Sequence, residues 1–243
     1  MKLAKLYDNI ISEGVYDPFI FKAIIMAGGP GSGKSFVTQE LFGIPNNVGF
    51  SFQGLKTVNS DTEFEHFLKK LGINPADLIK TPEEGGISDV DRDFIRGKAK
   101  ETHNKRTENY LKGRLGIIID TTSDEISKAK KRKEKLEELG YDTYMVYVNT
   151  SLETAQARNL KRGRRLKPKV VEEIWHAVQN NKEALKNLYS PNFIIVNNDK
   201  KLDPGEQFDA LITKAVKSFI KRPITNPIAK EWIKQELEKK KRG

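Results

Sequence analysis

The chain has 243 residues, of which 37% are hydrophobic and 31% charged, so it is polar but long enough to bury a core. The 43 Lys and Arg residues against 33 Asp and Glu leave a formal net charge of +10, which favours anionic partners such as nucleotides or nucleic acid. The sequence contains no Cys, which excludes disulfides, thiolate–zinc sites and cysteine nucleophiles. Charged residues interrupt the apolar runs and the N-terminal segment, so we expect no membrane span, no signal peptide and a cytoplasmic location.

The first half of the chain is predicted to combine helices, short strands and loops around one glycine-rich segment. An amphipathic helix is predicted over 3–11, and Pro18 lies where the chain must leave it. Residues 19–27 read as a buried strand, which leads into the glycine-rich segment 28–35 and a helix to about Phe42. The elements predicted next are a strand at 56–59, a helix at 63–71, a loop at 81–88 and a long helix at 89–111.

The second half of the chain alternates regularly between strands and helices. The predicted strands are 115–119, 143–148 and 193–196, and the predicted helices are 124–139, 152–162, 169–188 and 206–220. Together with the two earlier strands they predict an α/β fold, a five-stranded parallel sheet covered by helices on both faces, because parallel strands need crossover connections. We expect one domain over 1–221, with 1–18 as an N-terminal helical cap, and a basic C-terminal helical extension over 222–243. The residues expected to pack this extension are Ile228, Trp232, Ile233 and Leu237.

The glycine-rich segment matches the P-loop pattern G-x-x-x-x-G-K-S/T at every fixed position, between a strand and a helix. Its backbone N–H groups and the helix N-terminus can hold phosphates, Lys34 can bridge the β- and γ-phosphates, and the Ser35 hydroxyl can ligate Mg²⁺. The alternative is an ordinary glycine-rich turn between a strand and a helix. The predicted nucleotide-binding residues are Gly28, Gly29, Pro30, Gly31, Ser32, Gly33, Lys34, Ser35 and Phe36. We therefore predict binding of ATP or another nucleoside triphosphate together with Mg²⁺.

Three features favour a kinase over other P-loop proteins. The chain has room for one compact domain, and it lacks the guanine-reading N-K-x-D motif, because 198–200 has the wrong order. A basic segment follows, in which Arg158 and Arg162 stand four residues apart, on one face of a predicted helix. Arginines on a lid, here 157–168, can neutralise a transferring phosphoryl group and exclude water. The alternatives are a solvated basic helix end and a nucleic-acid patch.

Three short segments, in this order after the P-loop, carry a family resemblance. They are Val58-Asn59-Ser60-Asp61, Ile118-Ile119-Asp120-Thr121 and Arg158-x-x-x-Arg162-Gly163. Residues 20–200 resemble the 5′-kinase domain of bacteriophage polynucleotide kinase and the neighbouring zeta-toxin kinases. The resemblance implies a P-loop nucleoside-triphosphatase/kinase fold and ATP-dependent transfer of the γ-phosphate to a hydroxyl. It also implies the host cytoplasm as the location if the chain is phage-encoded.

The resemblance assigns roles to individual residues. Asp61 becomes the general base that orients the acceptor hydroxyl, beside Lys34, Arg158 and Arg162 as the other catalytic residues. Asp120 becomes a structural residue or, with Ser35, a ligand of Mg²⁺. Two capping alternatives stay open. The segment 60–63 resembles a capping box, so Asp61 could only cap a helix that starts near Thr62, and Asp120 could cap the helix that follows it.

One departure from the polynucleotide-kinase pattern concerns the acceptor. Phe64 stands where that pattern has a basic residue that grips the acceptor phosphate, so Arg92, Arg96 or Lys98 could hold it instead. Otherwise the acceptor is not a polynucleotide end. Three functions remain: a kinase of polynucleotide 5′-hydroxyls, a zeta-toxin-like kinase of a nucleotide sugar or other small metabolite, and a nucleotide-dependent binding module or ATPase without an acceptor.

The basic run KAKKRKEK at 128–135 also has two interpretations. It is either a solvated helix face or a contact surface for nucleic acid. The histidines have no metal-ligand spacing.

Overall fold

A computed structural model describes residues 14–43, 54–200 and 210–242. The predicted helix at 3–11 lies outside these residues, as does the start of the helix predicted at 206–220. The described strands are β1 (Lys22–Ala27), β2 (Lys56–Val58), β3 (Ile117–Thr121), β4 (Asp142–Asn149) and β5 (Phe193–Asn197).

The described α-helices connect and flank these strands. They are α1 (Lys34–Phe42), α2 (Ser60–Lys70), α3 (Asp89–Lys112), α4 (Ile126–Glu138), α5 (Leu152–Leu160), α6 (Pro168–Asn180), α7 (Lys182–Tyr189), α8 (Ala210–Lys221) and α9 (Pro227–Arg242). Short 3₁₀ segments occur at Gly14–Tyr16, Pro75–Ile79 and Pro82–Glu84, the last inside the loop predicted at 81–88. In the described parts of the chain, none of these helices combines the length and the apolar character that a membrane span requires.

The strands form one five-stranded sheet in the order β2-β3-β1-β4-β5, and every pairing is parallel. This confirms the predicted sheet. β1 is central and fully buried, because helices cover both faces, and its sequence is a nearly continuous apolar run. From β1, the chain builds the sheet outward in two directions, with β3 and β2 on one side and β4 and β5 on the other. Ligands of open α/β sheets bind at the carboxyl ends of the strands at such a switch point. The P-loop follows the carboxyl end of β1.

Alternate residues of β1 enter two separate hydrophobic cores. Ile24 and Met26 pack on the face that also holds α1 and α8. Ala23 and Ile25 pack on the opposite face with residues of α4, α6, α7 and α9. The sheet is therefore covered on both sides, as the parallel arrangement requires.

A third, smaller core joins α2 to α3. It contains Phe64, Leu68, Ile95 and Ala99, and Phe64 is only 1% exposed. Position 64 thus holds a core side chain, which is why a basic residue is absent there. This core fixes α2 at the carboxyl end of β2, where α2 carries Asp61.

Several predicted boundaries are wrong for identifiable local reasons. β1 begins at Lys22 and not at residue 19, because the preceding residues form a turn in which Phe21 has φ 58° and the Lys22 N–H donates to the Phe19 carbonyl. The helix predicted at 169–188 is two helices, α6 and α7. They meet at Asn181, whose side-chain amide donates to the Asp124 carbonyl at 2.6 Å.

The C-terminal helix α9 packs against the sheet side that contains Phe21. Trp232 meets the Phe21 ring edge-on at a centroid distance of 5.4 Å, and Ala229 is fully buried. Trp232 and Ile233 pack as expected, but Ile228 is 49% exposed, so its predicted packing is wrong. It faces away because it lies one residue before Ala229, which occupies the inward position of that turn.

Candidate active site

The conformation of the loop between β1 and α1 depends on its glycines. Gly31 and Gly33 have φ values of 78° and 85°, in the left-handed region that favours glycine. A Cβ on Gly31 would lie 2.3 Å from the Ala155 carbonyl oxygen, and one on Gly33 would lie 2.2 Å from Nδ2 of Asn198. The loop therefore needs glycine at both positions for conformation and for space.

Lys34 begins α1 and reaches back across the loop. Its Nζ donates to the Gly28 carbonyl at 2.7 Å and lies 3.7 Å from Oδ1 of Asp120. The side chain is thus held between the loop and the end of β3. This position suits an ammonium that contacts phosphates seated in the loop.

Two residues directly after β5 make contacts near the site: Asn198 supports the P-loop, and Asp199 holds the segment that begins α5. Asn198 is buried and donates from Nδ2 to the Ser32 carbonyl at 2.7 Å. Asp199 accepts from the Ser151 N–H at 2.6 Å and from the Thr150 hydroxyl at 2.8 Å, and the Ser151 N–H is the main cause of its lowered pKa. In the sequence, Asn198 and Asp199 stand out only because 198–200 has the wrong order for the guanine-reading N-K-x-D motif. Their position directly after a strand, at the same sheet edge as the P-loop, was the signal that could have identified them.

Asp61 lies in the first turn of α2 and lines the cleft above the P-loop. The cap of α2 is Asn59, whose Oδ1 accepts from the Asp61 N–H at 2.8 Å, and the helix begins at Ser60. Glu63 is buried in an ion pair with Arg106 and does not complete a capping box. The capping alternative for Asp61 is therefore wrong, and the residue lines the cleft instead.

Arg164 contacts Asp61, and sequence reasoning missed this residue. Its guanidinium forms an ion pair with Asp61 and lies 3.3 Å from Oε1 of Glu65, with only 8% of the side chain exposed. It also lies 6.0 Å from the centroid of the Phe64 ring, and Arg96 lies 4.6 Å from the same centroid. Phe64 therefore serves as a platform for two guanidinium groups beside Asp61.

Burial is the main cause of a lowered Arg96 pKa, and the nearby Arg164 adds to it. Of the three residues expected as substitutes for a basic residue at 64, Arg96 alone lines the cleft. Arg92 pairs with Asp89 at 2.8 Å, and Lys98 pairs with Glu101 at 3.5 Å. The cleft thus brings Arg96 and Arg164 together where one basic residue was expected.

Asp120 lies at the end of β3, opposite Met26 of β1. Its Oδ2 accepts from Nδ2 of Asn59 at 2.9 Å, and burial raises its pKa while the nearby Lys34 opposes that shift. The capping alternative is wrong, because Asp120 is part of the strand and the next helix begins only at Ile126. Its carboxylate faces the P-loop lysine instead.

Ser35 and Asp120 both line the cleft, and hydroxyl and carboxylate oxygens are ligands that Mg²⁺ accepts. In 14–43, 54–200 and 210–242, no group of three or more His, Asp or Glu residues is arranged to hold a metal ion. This donor pair fits Mg²⁺, which takes few protein ligands and completes its shell with phosphates and water.

The predicted lid, 157–168, consists of the last turn of α5, the loop 161–167 and the first residue of α6. α5 ends at Leu160, so Arg162 lies beyond it, and the expectation that Arg158 and Arg162 share a helix face is wrong. Asn159 ties the loop, because its side chain donates to and accepts from the backbone of Leu166 at 2.8 and 3.0 Å. Arg158, Arg162 and Arg164 nevertheless all line the cleft.

One cleft of about 1160 Å³ gathers most of the predicted site residues. These are Gly29, Pro30, Gly31, Gly33, Lys34, Ser35, Asp61, Asp120, Arg158 and Arg162. Arg158 also lies 3.4 Å from the carbonyl oxygens of Ser32 and Asp199. Gly28 and Ser32 are buried and do not line the cleft, and Phe36, which is 37% exposed on α1, does not line it either.

Comparison with known proteins identifies the family. Residues 24–185, well over half of the chain, match the profile of a family described as an AAA domain, AAA_33. A search of curated proteins finds no significant match.

Solved structures share the fold at low identity. A protein assigned as a kinase from Chloroflexus aurantiacus matches with a TM-score of 0.51 and 15% identity, over 82% of this chain and 98% of that one. A structure of the PezAT toxin–antitoxin system of Streptococcus pneumoniae matches with a TM-score of 0.53 and 17% identity, over 97% and 92%. A structure of the Pnkp1/Rnl/Hen1 RNA repair complex gives a TM-score of 0.47 and 20% identity, over 67% and 45%.

The family match and the Chloroflexus aurantiacus structure agree with the P-loop fold that the motifs predicted. The chain therefore belongs to the AAA domain family AAA_33, with the fold of a P-loop kinase.

Proposed function

We propose that the chain is an ATP-dependent kinase that transfers the γ-phosphate to the 5′-hydroxyl of a polynucleotide. The observation that carries this proposal is the arrangement of Asp61, Lys34 and the cleft arginines around one P-loop. Phosphoryl transfer depends mainly on positioning and on neutralising charge on the transferring group. The cleft contains a carboxylate that can position the acceptor and cationic side chains that can neutralise charge, at the same edge of the sheet.

The nucleotide side of the site is formed by the P-loop and the residues that brace it. The loop N–H groups and Lys34 hold the phosphates, and Asn198 and Arg158 keep the Ser32 carbonyl in place. Mg²⁺, when bound, supplies charge neutralisation on the phosphate oxygens, and Ser35 and Asp120 are the residues that would hold it.

The acceptor side of the site is formed by α2, α3, the end of α5 and the loop that follows it. Asp61 accepts the proton of the acceptor hydroxyl and orients its oxygen toward the γ-phosphate. Arg158 and Arg162 neutralise the charge that develops during transfer. Arg164 holds the Asp61 carboxylate in position and, with Arg96, offers two cations to a phosphate close to the accepting hydroxyl.

A phosphoacceptor comparison tests this proposal. Labelled ATP is incubated with 5′-hydroxyl oligonucleotides, with nucleoside 3′-phosphates and with a panel of nucleotide sugars. We expect transfer to the 5′-hydroxyl acceptors, with loss of label in Asp61→Asn but not in Asp93→Asn, an exposed carboxylate on α3. If no 5′-hydroxyl acceptor receives label, the polynucleotide proposal is refuted.

A kinase of a small phosphorylated metabolite is the second candidate. Arg96 and Arg164 on Phe64 favour it, because two guanidinium groups suffice for a single phosphate without a nucleic-acid strand. Label on a nucleotide sugar and on no oligonucleotide would support this candidate. A module without an acceptor would label none of these compounds and would still bind ATP.

A further inference from the structure

The cleft continues from the P-loop into a groove between α3 and α4. His103 and Thr107 of α3 line one side, Lys131, Arg132 and Lys135 of α4 line the other, and Ile119 of β3 forms the floor. We call Lys131, Arg132 and Lys135 the α4 basic face. These residues belong to the basic run 128–135, for which the sequence allows two interpretations, a solvated helix face and a contact surface for nucleic acid.

Ion pairs divide the basic run into two faces. Lys128 lies 2.5 Å from Glu125 and Lys130 lies 3.8 Å from Glu134, so both are paired within the helix. In the described parts of the chain, the side chains of Lys131 and Lys135 have no hydrogen bond or ion pair. The lysines that point away from the cleft are therefore compensated, and those that line it are not.

Arg132 is also without a carboxylate partner among the described residues. Its Nη2 lies 3.5 Å from the Thr121 hydroxyl, and its Nη1 is buried without a hydrogen-bond partner. Burial lowers the pKa of Arg132, although Tyr189 and Asp124 oppose that shift. A buried cationic donor without a partner costs free energy, and an anionic ligand in the groove would recover it.

The acidic residues that line the cleft lie toward its catalytic end. They are Asp61, Glu65 and Asp120, on α2 and at the end of β3. Among the described residues that line the groove beyond them, Lys131, Arg132 and Lys135 are positively charged and none is a carboxylate. An extended polyanion fits this distribution better than a compact metabolite, because a compact metabolite held by Arg96 and Arg164 would leave the α4 basic face without an anionic partner.

We propose that the α3–α4 groove binds the sugar-phosphate backbone of a single polynucleotide strand behind its 5′-hydroxyl. This inference rests on the proposed function and names the part of the substrate that lies outside the reaction centre. Lys131 and Lys135 stand one helical turn apart on one face, so they can contact different phosphates of the same strand. The contacts are to phosphates, so they add affinity without sequence preference.

The test compares two double variants of α4 that remove the same charge. Lys131→Ala/Lys135→Ala removes the two exposed lysines of the α4 basic face, and Lys128→Ala/Lys130→Ala removes two paired lysines outside the groove. For each we would measure kcat/KM for a 5′-hydroxyl oligonucleotide and for a nucleoside 3′-phosphate. Thermal unfolding of both proteins checks that the fold is retained.

We expect the groove variant to lower the preference for the oligonucleotide over the mononucleotide on the order of tenfold. The salt dependence of oligonucleotide binding should also weaken, by about 0.7 in the logarithmic slope for each lost contact. The control variant should keep the wild-type preference. An unchanged preference in the groove variant, or an equal loss in the control, would overturn the inference.

Direct binding separates this inference from the proposed function. If the wild-type protein phosphorylates no 5′-hydroxyl acceptor, the proposed function fails, and fluorescence anisotropy of a labelled oligonucleotide then decides the groove. Weaker binding in the groove variant and wild-type binding in the control would support the groove. Equal binding by all three proteins would overturn it.

Discussion

Replacing Arg164 by Ala separates a catalytic role from a structural one. The guanidinium pairs with Asp61 and Glu65, whose side chains are 42% and 48% exposed, so solvent screens both ion pairs. Their loss should cost about 1 kcal/mol of unfolding free energy, and loss of the contact with the Phe64 ring up to about 1 kcal/mol more. Asp61, in contrast, loses the group that holds its carboxylate in position.

Misplacing a catalytic group costs on the order of 100-fold in kcat, or about 2.7 kcal/mol of activation free energy. We expect Arg164→Ala to show this loss with a small decrease in unfolding free energy. The matched control is Arg165→Ala, which removes the same charge from an exposed neighbour whose Nε lies 3.4 Å from the Arg162 carbonyl. Steady-state phosphotransfer and urea unfolding measure the two effects. A kcat within threefold of wild type in Arg164→Ala, or an equal loss in Arg165→Ala, would refute the reasoning.

Three further predictions address the loop, its support and the α2–α3 contact. Lys34→Ala should lower kcat/KM for ATP by on the order of 100-fold, because a cation at the phosphates is lost; steady-state kinetics would show it, and a loss below tenfold would contradict it. Asn198→Ala leaves the buried Ser32 carbonyl without its 2.7 Å hydrogen bond, so unfolding free energy should fall by about 1–3 kcal/mol and ATP should bind more weakly; wild-type values in calorimetry would contradict this role. Burial lowers the pKa of His103 below its usual 6.5, with Arg106 adding to the effect and Glu63 opposing it, so the unfolded chain binds more protons. The contribution of His103 to the unfolding free energy is therefore fully present above about pH 6.5 and is lost as pH falls toward the folded-state pKa. In urea unfolding, the unfolding free energy of His103→Gln should decline less steeply with acidification than that of the wild type. An equally steep decline would contradict the predicted direction of the pKa shift.

The sequence predicted the sheet because its strands are buried runs such as 22–27, which helices cover on both faces. It also predicted the P-loop, since the chemistry of that loop is local in the chain. Helix ends were less predictable. Whether 169–188 is one helix or two depends on Asn181 contacting a different segment, and no local pattern records that contact.

The missed site residues are those whose roles arise from tertiary contacts. Arg164 meets Asp61 across a separation of 103 residues, and Asn198 meets Ser32 across 166. The division of the basic run into a paired and an unpaired face likewise depends on which side of α4 meets the cleft. Composition and spacing supplied the residue types, but packing decided which of them share a site.

The most direct test of the central claim measures ATP affinity and phosphoryl transfer in the same Asp61→Asn preparation. The account predicts that a fluorescent ATP analogue binds within about threefold of wild type, because the P-loop contacts are intact. Transfer to the acceptor should fall by 100-fold or more, because the proton acceptor is lost while the shape of the side chain is kept. Transfer at the wild-type rate with intact ATP binding would contradict the assignment of Asp61 and, with it, the proposed mechanism.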